Sequence, residues 1–250
     1  MPYGLYISAE GAHAQSRRME VISNNLANVE TPGFKRDLAM FQARYAADVQ
    51  NGQIMPNAGG AEDLGGGVWF RGTQTDYSTG QLKKTGVETD VAIMGDGFFV
   101  VEKDGQNYLT KAGNFMFNAD GRLVTQKGET VMSEDGTPIE IAADLPWSVT
   151  ADGAIQQGAD KIFLAIERPK NVGDLSKVGE NLFHPLAPTE PIDPFERNVR
   201  QGVLEMSGVK PTSEMLEMIE TSRAFEANIN MVKNHDAILN SLVNRVLKSS

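Results

Sequence analysis

The chain has 250 residues with 23 Lys and Arg against 33 Asp and Glu, which gives a formal net charge of -10. An acidic chain without a basic run offers little attraction to a nucleic-acid backbone or to an anionic membrane surface. The absence of cysteine excludes disulfides, thiolate chemistry and Cys-ligated metal sites. We also expect neither a membrane span nor a cleaved signal peptide, because the sequence has no apolar run of about 18 residues and no basic region followed by an apolar one at its start.

The N-terminal segment has the spacing of an amphipathic helix. Positions three and four residues apart form a seam of Leu5, Ser8, Ala12, Gln15, Met19, Ile22, Leu26 and Val29. The seam is strongest from Met19 onward. Thr31-Pro32-Gly33 should end the helix, because the residue before proline avoids the helical region and glycine suits a C-terminal turn.

A segment rich in glycine follows this helix. It contains Pro56, Gly59-Gly60 and Gly65-Gly66-Gly67, a composition typical of flexible chain. We therefore expect residues 37–70 to form a flexible connector or an extended arm.

Short apolar runs separated by turn residues predict β structure in the middle of the chain. Asp-Gly supplies the positive φ angles that tight hairpin turns require, and it occurs at 96–97, 104–105, 120–121, 135–136 and 152–153. The candidate strands are Asp90–Met94, Phe98–Glu102, Tyr108–Lys111, Asn114–Asn118, Arg122–Gln126, Trp147–Thr150 and Lys161–Ile166. We expect an antiparallel β domain over residues 71–205.

The C-terminal segment carries a longer seam with a strict seven-residue repeat, which is typical of a coiled coil. Its positions are Met215, Met218, Ser222, Phe225, Ile229, Val232, Asp236, Leu239, Val243 and Val246. Pro211-Thr212-Ser213-Glu214 precedes the seam with a break, hydroxyl caps and an acidic first turn. A helix from Ser213 to Lys248 would be roughly 50 Å long.

Two helical ends around a β middle predict an α+β fold. In it, an antiparallel all-β central domain is flanked by N- and C-terminal helices that pair as a coiled coil. An apolar stripe on a single helix usually packs against the protein's own core. Here both ends carry a stripe and the middle has no helical layer, so the stripes should pair with each other or with neighbouring chains.

The residues form no catalytic or ligand-binding pattern. The three histidines, His13, His184 and His235, are far apart in the sequence. The 65–67 glycine run lacks the Lys-Ser or Lys-Thr of a phosphate loop, and 118–121 lacks the later acidic ligand of a calcium loop. The acidic residues of the middle lie mostly at turns, as solvated charges do. We therefore predict no enzymatic activity, no catalytic residue, no cofactor and no metal site.

Three motifs follow one another along the chain. They are Ile-Ser-Asn-Asn-Leu-Ala-Asn-Val-Glu-Thr-Pro-Gly-Phe-Lys at 22–35, Thr-Gly at 85–86 with Asp-Val-Ala-Ile-Met-Gly-Asp-Gly-Phe-Phe-Val at 90–100, and Gly-Val-Leu-Glu-Met-Ser-Gly-Val at 202–209 with 214–220 and 223–226. Together they resemble the bacterial flagellar axial proteins, the rod and hook family, over nearly the whole chain. Thr89 and Gly208 are local departures, where the family usually has leucine and asparagine.

The resemblance implies a structural subunit of the flagellar basal-body rod, the drive shaft that links the motor to the hook in motility. The family's terminal helices form an inner coiled-coil layer of a helical tube, which implies such helices over 1–36 and 206–250 here, and its β domain forms an outer layer. The implied partners are copies of the chain, other rod proteins and the flagellar type III export apparatus, without nucleic acid or membrane insertion. The implied location is the periplasmic rod, reached without a cleaved signal peptide.

Within the family, a chain of this length with one β domain is similar to the proximal and the distal rod proteins. The segment Asp76 to Gly86 and the short tail favour the proximal rod.

The assembly residues that the resemblance implies lie in the two helices. They are Asn24, Asn25, Leu26, Asn28, Met218, Phe225, Ile229, Val232 and Leu239. The apolar members would be buried in the inner layer, and the asparagines would hydrogen-bond to neighbouring backbones. The alternative for the asparagines is termination of the helix near Thr31. Helices that await partners should be disordered or frayed in the free monomer.

Two other classes of protein stay open. A β-domain hydrolase that uses acidic residues would lose its activity when one or two carboxylates are changed. A soluble binding module, with its helices in a stable hairpin or dimer, would have protected ends in the monomer.

Overall fold

The computed structural model describes residues 3–45, 49, 51, 55, 65–142, 145–179 and 181–248. Two helices lie at the ends of the chain and every paired strand between them is antiparallel, which confirms the predicted α+β class. The chain divides into two units. The first comprises Met1–Ala27, Asp37–Asp76 and Lys210–Ser250, so far as these are described, and the second comprises Asn28–Arg36 and Tyr77–Val209.

The first unit contains both helices. Helix α1 (Tyr3–Ala27) ends four residues before the predicted stop at Thr31-Pro32-Gly33. In the turn that follows, Thr31 donates from its backbone nitrogen to the carbonyl of Asn28 and Gly33 adopts a φ of 70°. Helix α2 (Pro211–Lys248) has 38 residues, with Pro211 at its first position and Glu214 in its first turn. These are the break and the acidic start that the sequence predicts.

A two-stranded hairpin completes the first unit. Strand β1 (Asp37–Ala43) pairs with β2 (Val68–Thr75), and the register shifts between Met40 and Phe41. The two ends of the stretch 37–70, predicted as a flexible connector or an extended arm, therefore form paired strands, as an extended arm can. Alternating burial along β1, opposite a partner of similar pattern, overrides the flexible composition of the stretch between the strands. The rest of that segment, 46–48, 50, 52–54 and 56–64, lies outside the described residues.

The second unit is built around one large sheet. Among the described residues, this sheet has nine strands, with β14-β15-β6-β5-β9-β8-β7 as its main order and β13 joining β5 to β16. Its strands are β5 (Phe98–Lys103), β6 (Gln106–Thr110), β7 (Met116–Phe117), β8 (Leu123–Val124), β9 (Thr130–Val131), β13 (Ile166–Pro169), β14 (Leu175–Gly179), β15 (Leu182–Pro185) and β16 (Thr189–Pro191).

Smaller sheets complete the second unit. A three-stranded sheet has the order β10-β11-β12, and two strand pairs are β17 with β4 and β18 with β3. The strands are β3 (Leu82–Lys84), β4 (Val91–Ile93), β10 (Trp147–Val149), β11 (Ala154–Gln157), β12 (Asp160–Phe163), β17 (Val199–Gln201) and β18 (Val203–Glu205). The core of the unit includes Phe99, Val101, Ile139 and Leu164, each completely buried.

Four of the five Asp-Gly pairs have the positive φ angle that a tight turn requires. Between β5 and β6, Asp104 and Gly105 have φ angles of 51° and 76°. Asp96-Gly97 is the exception, and the predicted hairpin turn there is wrong because β4 pairs with β17 rather than with β5. Gly97 is instead a close-packing position, where a methyl group would lie 2.7 Å from both Ile166 Cγ2 and Ile192 Cδ1.

Candidate assembly surface

The two helices of the first unit pack antiparallel in a fixed register. A methyl group at Gly4 would lie 2.9 Å from His235 Nε2, and one at Gly11 would lie 2.8 Å from Asn228 Oδ1. Gly4 and Gly11 are seven positions apart on α1, and Asn228 and His235 are seven positions apart on α2. Small residues on α1 thus face polar side chains on α2 at a seven-residue repeat, which is the spacing that keeps one stripe on one face.

Asn25 closes the other end of the helix pair. It is almost completely buried, and its Nδ2 donates to the carbonyl of Asp37 at 2.8 Å and to Glu214 Oε2 at 3.3 Å. Its Oδ1 accepts from the backbone nitrogen of Asp37 at 3.0 Å. The side chain therefore fastens the first residue of β1 and the first turn of α2 to α1 within a single chain.

The other predicted asparagines lie at the end of α1 and just beyond it. Asn24 is exposed. Asn28 Oδ1 accepts from the hydroxyl of Thr31 at 3.2 Å. The contact of Asn28 agrees with the alternative of helix termination, because Thr31 lies just after the helix. Asn25 instead binds the backbone of Asp37 and the side chain of Glu214 of its own chain.

The predicted seam on α2 follows the face that packs on α1. Met218, Phe225, Ile229 and Val232 are half-buried on this face, as is Leu26 on α1. The most buried residues of the face are nevertheless polar, Glu214 at 1% and Thr221 at 2% exposure. Glu214 is buried because its carboxylate accepts from Asn25, so the seam begins one residue before the predicted position.

Several apolar side chains of α2 remain exposed. Met215, the first predicted seam position, is 51% exposed, and Leu216 and Ile219 beside it are also exposed. Beyond His235 the register offers no described residue of α1, and the exposed apolar side chains there are Ile238, Leu239, Leu242 and Val243. The side chain of Val246 lies outside the described residues. An exposed stripe of this kind needs a partner outside its own unit or remains in water.

A buried ion pair holds the second unit together. Lys35 Nζ lies 2.7 Å from Glu205 Oε1, with side-chain exposures of only 1% and 2%. Lys35 also donates to the carbonyls of Tyr77 and Ser78, and Glu205 Oε1 accepts from the backbone nitrogen of Gly80 at 2.8 Å. These contacts attach the segment 28–36 to strand β18 and to the start of the long continuous part of the unit.

A second lysine lies against the same carboxylate. Lys111 Nζ is 3.8 Å from Glu205 Oε2 and donates to the carbonyl of Gly95. Burial lowers the pKa of Lys111 to about 8, although the charge of Glu205 acts in the opposite direction. Two lysines therefore share one buried carboxylate.

Sequence reasoning missed Lys35, Glu205 and Lys111. An isolated charged residue in a sequence usually lies on the surface, and nothing in the spacing of these three predicts a buried cluster. The available signal was their position, since Lys35 closes the first family-like motif and Glu205 lies in the third.

The described residues contain no arrangement that points to metal chemistry. Within them, no three His, Asp or Glu side chains are grouped closely enough to hold a metal ion. No described helix is long and apolar enough to cross a membrane.

Three parts of the chain match known protein families. Residues 5–35 match the family described as flagella basal body rod protein, and residues 92–157 match the flagellar hook protein FlgE/F/G D1 domain. Residues 200–245 match the flagellar basal body rod FlgEFG protein C-terminal family. The order of the three matches is that of the three motifs.

Individual relatives are similar over the full length. The flagellar basal-body rod protein FlgF of Caulobacter vibrioides is 32% identical and the alignment covers 99% of each chain. The rod protein FlgG of Buchnera aphidicola subsp. Schizaphis graminum is 36% identical over 95% of this chain and 97% of its own. FlgG of Bacillus subtilis is 32% identical over 96% of this chain and 97% of its own. This chain therefore belongs to the FlgE/F/G family of flagellar basal-body rod and hook proteins.

Proposed function

We propose that this chain is a non-enzymatic structural subunit of the flagellar rod, which assembles through its terminal helices into a helical tube and contributes to motility. The observation that carries the proposal is the exposed apolar stripe of α2, in a chain whose full-length relatives are rod proteins. A contact between different surfaces of successive copies produces a filament when the rotation does not close.

The apolar residues beyond His235 are the part of the stripe best suited to contact another copy. They lie beyond the register of the described part of α1, so a partner can cover them without separating the two helices of one chain. Met218, Phe225, Ile229 and Val232 already pack in that pair. We propose that they form its coiled-coil layer and that Leu239 continues this layer between subunits.

The proximal rod remains our preferred position, with the distal rod as the alternative. A proximal subunit must be in place before the subunits distal to it. Deletion of the gene should therefore remove the FlgG-like protein from purified basal bodies, as measured by mass spectrometry. Retention of that protein would assign the chain elsewhere in the rod. We also propose delivery by the type III export apparatus to the periplasmic rod, with copies of itself and other rod proteins as partners.

Leu239→Asp tests the assembly role most directly. Leu239 is 37% exposed and lies beyond the register of α1, so the substitution should leave the isolated chain folded. We expect non-motile cells whose basal bodies lack the protein, while the circular dichroism of the purified variant is unchanged. Asn230→Asp, an exposed change of the same helix, is the matched control and should support normal motility.

Phe225→Asp tests the same seam at a second position. Phe225 is half-buried in the pair of helices, so this change should loosen the pair as well as block incorporation. Motile cells carrying either Leu239→Asp or Phe225→Asp would overturn the proposed role of the seam.

A soluble binding module is the second candidate, and the packing of α1 on α2 within one chain favours it. Limited proteolysis of the dilute protein separates the two functions. Digestion of both helices with survival of the β unit supports a subunit that awaits partners. Equal protection of the helices and the β unit supports the binding module.

A further inference from the structure

Phe195 is displayed on the surface of the second unit. It lies in a single turn of 3-10 helix (Pro194–Glu196), and its side chain is 99% exposed. A phenylalanine in this position adds no packing to the chain that carries it. Its apolar area is left in water, although burial of an aromatic ring is among the most favourable contributions that a side chain can make.

The turn beneath Phe195 is held firmly. Asp193 Oδ1 accepts from the backbone nitrogen of Phe195 at 3.0 Å and caps the turn. The guanidinium of Arg197 is completely buried and points inward, where it donates to the carbonyls of Ile192 at 2.8 Å and Leu164 at 3.1 Å and pairs with Glu134. The ring is therefore presented by a backbone that is already ordered.

The residues on either side of the turn are explained by the fold. Ile192 and Val199 are buried in the core of the unit and fix where the loop leaves and rejoins it. Pro194 suits the first position of the turn. Phe195 alone has no contact that the unit requires, and an exposed aromatic on an ordered support has the form of an interface anchor.

The charges beside Phe195 indicate the chemistry of its partner. Asp193 and Glu196 flank the ring in the sequence, whereas the only cation of the turn, Arg197, points inward. Arg168 Nη2 reaches Glu196 Oε2 only at 4.0 Å, between side chains that are 50% and 64% exposed. Such a pair contributes little in water, so the tip keeps an acidic rim around an apolar centre.

We propose that Phe195 is an anchor that inserts into an apolar socket with a basic rim on a neighbouring protein subunit. The proposal rests on the proposed function as a rod subunit, and it adds a second contact, made by the β unit rather than by the helices. The ordered turn keeps the conformational cost of this contact low, because the ring need not be immobilised on binding.

Phe195→Ala tests the proposal without disturbing the fold. Because the side chain is fully exposed, the melting temperature of the purified variant should equal that of the unchanged protein. We expect incorporation into basal bodies to fall at least tenfold, as estimated for the loss of an interface anchor of about this size. Leu186→Ala, which removes an apolar side chain that is 69% exposed elsewhere on the unit, should leave incorporation unchanged. Normal incorporation of Phe195→Ala would overturn the proposal.

Asn198→Cys, at an exposed position near the turn, identifies the partner while it keeps Phe195 and both rim carboxylates. The protein has no cysteine of its own, so a photoreactive maleimide labels the purified variant at this position alone. We expect cross-links in purified basal bodies to residues around a basic, apolar site, and mass spectrometry will show whether that site lies on a second copy or on another rod protein. If the maleimide reacts with the introduced cysteine as completely in the assembled rod as in the free subunit, the anchor is contradicted.

The gene deletion separates this proposal from the proposed function. A motile deletion strain would contradict the rod function itself. A non-motile deletion strain in which Phe195→Ala restores full incorporation would contradict only the anchor.

Discussion

Lys35 Nζ and Glu205 Oε1 lie 2.7 Å apart, although 170 positions separate the two residues in the chain. Two backbone hydrogen bonds run alongside the ion pair, from the nitrogen of Gly33 to the carbonyl of Glu205 at 2.7 Å and from the nitrogen of Gly208 to the carbonyl of Phe34 at 3.0 Å. The segment after α1 is therefore an integral part of the β unit rather than a linker to it.

Lys35→Met should destabilise the second unit strongly. The substitution leaves the carboxylate of Glu205 buried without its closest cation, and loss of one partner from a buried ion pair typically costs about 3–5 kcal/mol. Urea unfolding followed by tryptophan fluorescence measures the change. Lys83→Met, at an exposed position of β3, is the matched control and should shift the midpoint little.

The double variant Lys35→Met with Glu205→Gln distinguishes charge from packing. If the cost arises from the uncompensated charge, the double variant should be more stable than Lys35→Met alone, because glutamine keeps an acceptor for the nitrogen of Gly80. A double variant that is less stable than either single variant would show that packing dominates at this site.

Lys111 should make the stability of the β unit depend on alkaline pH. Burial lowers the pKa of Lys111 to about 8 from the ordinary value of 10.5. Between these values the unfolded chain holds the proton and the folded chain does not, so stability rises with pH through this window. Relative to Lys111→Met, the unchanged protein should gain about 2 kcal/mol between pH 7.5 and pH 9.5.

The free energy of unfolding at the two pH values, with Lys127→Met as an exposed control, measures this effect. Using the difference between the protein and its variant cancels the titration of the other lysines and the tyrosines. A difference that stays constant across the window would mean that Lys111 titrates as an ordinary surface lysine.

Asn25→Ala should loosen the first unit. The change removes both hydrogen bonds to the backbone of Asp37 and the donor to Glu214, and unsatisfied buried polar groups cost about 1–3 kcal/mol. Thermal melting followed by circular dichroism at 222 nm reports the helices directly. The neighbouring exposed change Ser23→Ala should melt at or slightly above the temperature of the unchanged protein.

Gly97→Ala should destabilise the core of the β unit by about 1–3 kcal/mol, because the added methyl group overlaps two buried isoleucines. Gly173→Ala is the control, since the atoms nearest to a methyl group there lie at ordinary contact distances of 3.4 Å and more. Equal stability of the two variants would show that Ile166 and Ile192 can move aside without cost.

The sequence alone was sufficient for the elements with a strong period or a strong turn signal. The turn that follows α1, with Gly33 at a positive φ, and the turn at Asp104-Gly105 both follow from local backbone preferences. The half-buried seam from Met218 to Val232 follows from the seven-residue repeat. In each case the determining residues are close together in the chain.

Features that depend on distant residues could not be predicted in this way. The pairing of β1 with β2 crosses a glycine-rich stretch that itself indicates a flexible chain, and the buried position of Lys35 depends on Glu205. Gly97 resembles a turn glycine until the side chains of Ile166 and Ile192 are placed around it. The candidate anchor at Phe195 had no sequence signal, because exposure is a property of the finished fold.

The construction of the β unit from two separate stretches of chain fixes the order in which it can form. When the polypeptide is delivered from its N-terminus, Lys35 arrives long before Glu205, whose carboxylate accepts the hydrogen bond from the ammonium of Lys35. Closing so long a loop is slow. Until Glu205 follows, Lys35 lacks its carboxylate partner and strand β3 lacks β18, the strand with which it pairs. The complete unit can therefore form only after nearly all of its chain has been delivered.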